Sequence, residues 1–117
     1  MSQTLPSPID ESQFRALTDR ILEAIGTALD AAEGDLDWAN NDGVLSIECG
    51  DGSRLIVNRH VPNRELWVAA KSGGFHFRAE GGEWRDTKSG EELGAALERL
   101  LRVQSGIGAR MPPLRAT

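Results

Sequence analysis

Asn41-Asp42-Gly43-Val44-Leu45-Ser46-Ile47-Glu48-Cys49-Gly50-Asp51-Gly52-Ser53-Arg54-Leu55-Ile56-Val57-Asn58 is the stretch that decides the fold. Asp42-Gly43 suits a primed hairpin turn, whose central positions need positive φ. Val44 to Cys49 alternates apolar and polar residues, the period of a half-buried strand. Gly50-Asp51-Gly52 turns the chain again, and Arg54 to His60 is a second strand, β-branched at its centre.

Outward from there the same pattern continues. Asp35 to Trp38 alternates ahead of the first turn. Pro62-Asn63 leads into Leu66 to Ala70, Ser72-Gly73-Gly74 into Phe75 to Glu80, and Gly81-Gly82 into Glu83 to Asp86. Loops this short pair successive strands antiparallel. Helical patterns flank the strands. Ser7 is placed as an N-cap, Pro8 at the first helical position and Asp10 as the capping-box acid. Phe14, Leu17, Ile21, Ala24, Ile25, Ala28, Leu29 and Ala32 then recur at helical spacing, which predicts a helix over 8–33 stopped by Gly34. Ser89 with Glu92 reads as a second capping box. It opens a helix over 90–104 with Leu93, Ala96, Leu97, Leu100 and Leu101 as its stripe and Gly106 as its stop. The expected fold is α+β: a two-layer sandwich with two terminal helices on one face of an antiparallel sheet of five to six strands. Residues 1–106 make one domain, and 107–117 read as a loose C-terminal tail.

The 117 residues, 39% hydrophobic and 26% charged, suit one globular domain. No apolar run approaches the roughly 20 residues that span a bilayer, and the first ten residues carry no secretory signal. The lone Cys49 shares parity with Leu45 and Ile47, so it reads as a core thiol in a reducing, cytoplasmic setting. One cysteine and two histidines exclude a zinc finger or ribbon. Net charge is −5, but residues 1–51 carry −9 and residues 52–117 carry +4. That split argues against a phosphate backbone as partner of the first half.

Two constellations stand out. At about 100° per residue, Asp19, Glu23, Asp30 and Glu33 fall within an arc of about 80°, opposite the Phe14/Leu17/Ile21/Ala28 stripe. Asp35 and Asp37 continue the arc along the first strand while Leu36 and Trp38 turn inward. A solvated helix face is the ordinary reading of such acids. Only Arg15 is placed to relieve them, by pairing with Asp19, and that favours a functional ridge. Carboxylates are hard donors for hard cations, held weakly at such an exposed site. The second constellation is the sheet face turned from the helices, with Asn58 and His60, Trp67 and Ala69, His76 and Arg78. A water-facing Trp67 beside Arg78 has the composition of a partner-binding patch, unless a loop or the tail covers it. The histidines are surface residues by default. Stacking of RNA bases on Trp67 is a weaker alternative, given the negative charge and the few aromatics. No nucleophile, acid–base set or phosphate loop is visible, so no enzyme is expected.

Val57-Asn58-Arg59-His60-Val61-Pro62-Asn63-Arg64-Glu65-Leu66-Trp67-Val68 resembles the signature of frataxins, with Asn58, Pro62 and Trp67 at the family spacing. Lys71-Ser72-Gly73-Gly74-Phe75-His76-Phe77 and Glu83-Trp84 resemble the bacterial branch. The likeness runs from about Ser12 to Gly106. It implies the same α+β sandwich and a role in iron handling and iron–sulfur cluster assembly. It implies a cysteine desulfurase and an iron–sulfur scaffold protein as partners, with no nucleic acid and no membrane. It implies a monomer able to oligomerise with iron. Family iron sites carry over to Asp30, Glu33, Asp35 and Asp37, with Asp19 and Glu23 as further members, as exposed, weak sites for Fe2+ or Fe3+ and no organic cofactor. Partner contacts carry over to Asn58, His60, Trp67 and His76. Gly26, Thr27 and Ala31 stand at ridge positions where bacterial relatives often hold acids, and the loop from Asp37 to Gly43 is shorter than in some relatives. The expected function is an iron-binding regulator or adaptor. Ferroxidase-type oxidation or storage, and an interaction module without iron, are the alternatives.

Overall fold

Asp10 starts the first helix. Its carboxylate accepts the Gln13 backbone N–H at 2.8 Å, and the Gln13 side chain accepts the Asp10 N–H in return. The computed structural model describes residues 9–34 and 36–117. Helix α1 spans Glu11–Ala31, so it opens three residues later than the expected start, and the proposed cap at Ser7-Pro8 lies outside the described residues. The helix ends as Ala32 turns extended, ahead of the expected stop at Gly34. Gly34 has another role. Its φ is +140°, and a Cβ there would meet the Ile107 side chain at 2.5 Å.

Six strands follow: β1 Leu36–Asn41, β2 Val44–Cys49, β3 Arg54–His60, β4 Glu65–Ala70, β5 Gly73–Glu80 and β6 Glu83–Asp86. They pair antiparallel in chain order, one meander from edge to edge. Asp42 and Gly43 both take positive φ, as the primed turn requires. Helix α2, Leu93–Ser105, closes the order and ends at Gly106 in the left-handed region. Its cap is Glu92, not Ser89. The Glu92 carboxylate accepts the Gly94 and Ala95 N–H groups, an anion at the positive end of the helix. Asp86 binds the Lys88 N–H, and Gly90 takes φ +79°, so residues 88–90 are committed to a turn and cannot be helical.

Both helices cover one sheet face. Phe14, Leu22 and Ile25 of α1 and Leu97 and Leu101 of α2 join Leu45, Leu55, Leu66, Phe77 and Trp84 in one buried core. Cys49 is a buried free thiol. The C-terminal tail is docked, contrary to expectation. Ala109, Leu114 and Ala116 are buried, the Ala116 N–H donates to the Gly82 carbonyl, and the Trp84 indole donates to the Arg115 carbonyl. The tail thereby covers the free edge of β6.

Candidate functional site

The buried face of α1 is Phe14, Thr18, Ile21, Leu22, Ile25, Gly26 and Leu29. Its centre lies roughly 60° from that of the expected stripe, towards β1. Thr18 and Gly26 carry no hydropathy signal, and Leu17, Ala24 and Ala28 flank the contact half-buried. The acids therefore stand beside the buried face, along the border with edge strand β1. Gly26 is consequently not a ridge position. It lies buried under the Trp38 ring, and a Cβ would meet that ring at 2.7 Å. Trp38 is half-buried, and its indole N–H donates to Asp30 at 2.8 Å, tying strand to helix.

Asp19, Glu23, Asp30, Glu33 and Asp37 are all exposed, and Asp35 lies outside the described residues. The expected Arg15–Asp19 pair does not form. Arg15 binds Glu11 one turn earlier, and Asp19 receives Arg59 of β3 at 2.6 Å. The Arg59 side chain is buried against the Arg15 carbonyl and Thr18, so Asp19 is occupied in holding helix to sheet. Among the described residues no three His, Cys, Asp or Glu side chains converge as a ready-made metal site. The ridge is an exposed row of carboxylates, no three of which converge among the described residues.

On the open sheet face the structure brings together His60, Trp67 and His76, with Asn58 opposite Trp67 in the register. Both imidazoles stack on the indole, at 3.7 Å and 9° for His60 and 4.3 Å and 8° for His76. Trp67 is thus half-buried by its own neighbours rather than by a loop or the tail. The stack also closes the indole faces to incoming bases, which removes the basis of the RNA reading.

Beneath the stack lies a residue that sequence reasoning missed. Glu65 is buried, accepts the Trp67 indole N–H at 2.8 Å, and holds Arg78 through two hydrogen bonds. Burial pushes its carboxyl up, but the bonds from Trp67 and Arg78 and the nearby positive charge outweigh burial and leave it below the ordinary glutamate value. Parity could have found it, since Glu65 and Trp67 share a face of β4 and Glu65 pairs across to Arg78. Setting the strand start at Leu66 hid it.

A family model described as a frataxin-like domain matches residues 7–107. An iron–sulfur cluster assembly protein CyaY from Cupriavidus metallidurans is 46% identical over 104 residues, 86% of this chain and 94% of the relative. Its namesake from Dechloromonas aromatica is 48% identical over 99 residues, 84% of this chain and 94% of the relative. The solved frataxin of Psychromonas ingrahamii superposes with a TM-score of 0.81 at 28% identity, over 86% of this chain and 96% of that one. A trimeric frataxin from Saccharomyces cerevisiae, solved in a ferrous complex, shares the fold with a TM-score of 0.64 at 19% identity over 91% of each chain. No described helix is long and apolar enough to cross a membrane.

Proposed function

Because the chain belongs to the frataxin-like family, we propose that it serves iron–sulfur cluster assembly in the cytoplasm as a non-catalytic, iron-binding regulator or adaptor. The observation that carries this reading is the exposed acidic border between α1 and β1, where Glu23, Glu33 and Asp37 make no side-chain ion pair among the described residues. Iron is the cargo or signal, Fe2+ or Fe3+. Hard carboxylates suit it, and their separation makes its hold weak and exchangeable. Asp30 contributes with one oxygen already engaged by Trp38. Asp19 contributes only in competition with Arg59. Asp35 completes the set by position.

The same negative border docks on a basic patch of the cysteine desulfurase, with association steered by opposite charge. Iron and enzyme then share carboxylates, so iron occupancy tunes docking. The sheet face, with Asn58, His60, Trp67 and His76, contacts the scaffold protein. Ferroxidase chemistry is the weaker reading, since the described carboxylates do not converge on a two-ion site. The test is the double substitution Glu23→Lys and Glu33→Lys, which touches no observed side-chain bond. Desulfurase binding should be lost with the fold intact. Unchanged binding would move the interface off the ridge.

A further inference from the structure

The open sheet face carries a cross-strand row: His60 opposite Glu65, Glu65 opposite Arg78, Arg78 opposite Arg85. Its charges are not equally visible to solvent. The Glu65 side chain is 3% exposed, whereas Arg78 is 65% exposed. A partner arriving at the stack therefore meets the guanidinium and not the carboxylate beneath it. Arg85 is half-exposed and held locally by Glu83 and the Gly90 carbonyl. The acids Glu80 and Glu83 face each other one outward position further along, at the hairpin end.

The polar capacity of the indole is already used. Its N–H is spent on Glu65 and its two faces on the imidazoles. A nucleic acid would need those faces. What remains at the stack is aromatic edge, half-exposed imidazole and the outward N–H groups of Arg78, which can only donate. Acceptors are the natural complement, and anionic oxygens are the strongest of them for a guanidinium; in an unmodified protein partner these are carboxylates.

We propose that the His60–Trp67–His76 stack and Arg78 form a docking platform for an acidic segment of a protein partner, a run of Asp or Glu side chains, with Glu65 as the positioning residue that fixes both indole and guanidinium. This deepens the reading of the sheet as the scaffold-facing surface and rests on it. The molecule then presents two docking surfaces of different character, an anionic border at α1 and β1 and an aromatic platform on the open sheet whose outward polar groups at Arg78 are donors.

The test is an amide- and indole-resolved NMR titration of the full chain with hexaglutamate and, separately, hexalysine. Hexaglutamate should shift the Trp67 indole N–H with the His76 and Arg78 amides, and hexalysine should shift the α1–β1 border instead. The double variant Glu65→Gln/Arg78→Gln keeps an acceptor for the indole and leaves no unpaired buried charge. It should fold and bind hexaglutamate at least about fivefold more weakly. No sheet shift with hexaglutamate, or a shift kept in full by the double variant, overturns the proposal. Titration with the scaffold protein separates the two levels. Equal Trp67 shifts in wild type and double variant leave the sheet as the docking face and refute the acidic segment. A scaffold that shifts no sheet resonance refutes the docking reading itself.

Discussion

At the α1–β1 border, Glu23, Glu33 and Asp37 stand in water without side-chain partners among the described residues. On the open sheet, Glu65 is a carboxylate with two firm donors, Trp67 and Arg78, and almost no exposure. The first arrangement has charge without fixed geometry. The second has fixed geometry and its anion hidden. A field of exposed charge attracts exchangeable ions and steers partners, and losing one member costs the fold little. A partnered, buried charge orders its neighbours, and losing its counter-ion costs the fold directly.

The largest effect should come from breaking the sheet side. Arg78→Ala leaves Glu65 buried with the indole N–H as its one strong donor, and should cost about 2–3 kcal/mol by urea unfolding. A loss under about 0.5 kcal/mol would mean that Glu65 relaxes into water, and the contrast would collapse. Next is the junction where the ridge does have geometry. Gly26→Ala drives a methyl into the Trp38 ring. Overpacking should cost about 1–3 kcal/mol, offset in part by the roughly 1 kcal/mol gain in helix propensity. Tryptophan emission should shift red as Trp38 swings out. Trp38→Phe keeps most of the packing and loses the bond to Asp30, for about 1 kcal/mol.

Acid sharpens the same comparison. The Glu65 pKa is lower folded than unfolded, so its stabilisation is whole above the unfolded value of 4.5. It is lost as the pH falls from there through the folded value. Glu65→Gln should therefore flatten the acid limb of stability against pH. Asp51 behaves alike. Hydrogen bonds from the Ser53 side chain and backbone, and then Lys71, hold it at about 2. The smallest stability effect belongs to the ridge. Glu23→Gln/Glu33→Gln should change unfolding free energy by no more than about 0.5 kcal/mol while weakening desulfurase binding.

The meander was legible because its signals are local. Asp42-Gly43 and strict alternation specify strand, turn and register within a few residues. The helix ends were less so. Ser89 and Glu92 make a plausible capping box, and only the turn held by Asp86 shows that Glu92 itself is the cap. The tail was illegible because Ala109, Leu114 and Ala116 follow no period and bury themselves against an edge that exists only after folding. At the site, the helical spacing put Asp19, Glu23 and Asp30 on one exposed side of α1, whereas Glu33 lies past the helix end. Phe14, Ile21, Ile25 and Leu29 are buried as the stripe requires, but the centre of the face is shifted, because Thr18 and Gly26 count for nothing in a hydropathy stripe. The Arg59–Asp19 pair joins residues 40 apart, and no spacing rule reaches it.

Iron binding at the α1–β1 border is tested by an amide-resolved NMR titration with Fe2+ under anaerobic conditions. Broadening should be confined to the second half of α1 and to β1, around Glu23, Asp30, Glu33 and Asp37, with the His60–Trp67–His76 stack untouched. No effect at near-millimolar iron, or broadening centred on the two histidines, would contradict it and leave the ridge as a protein-docking surface alone.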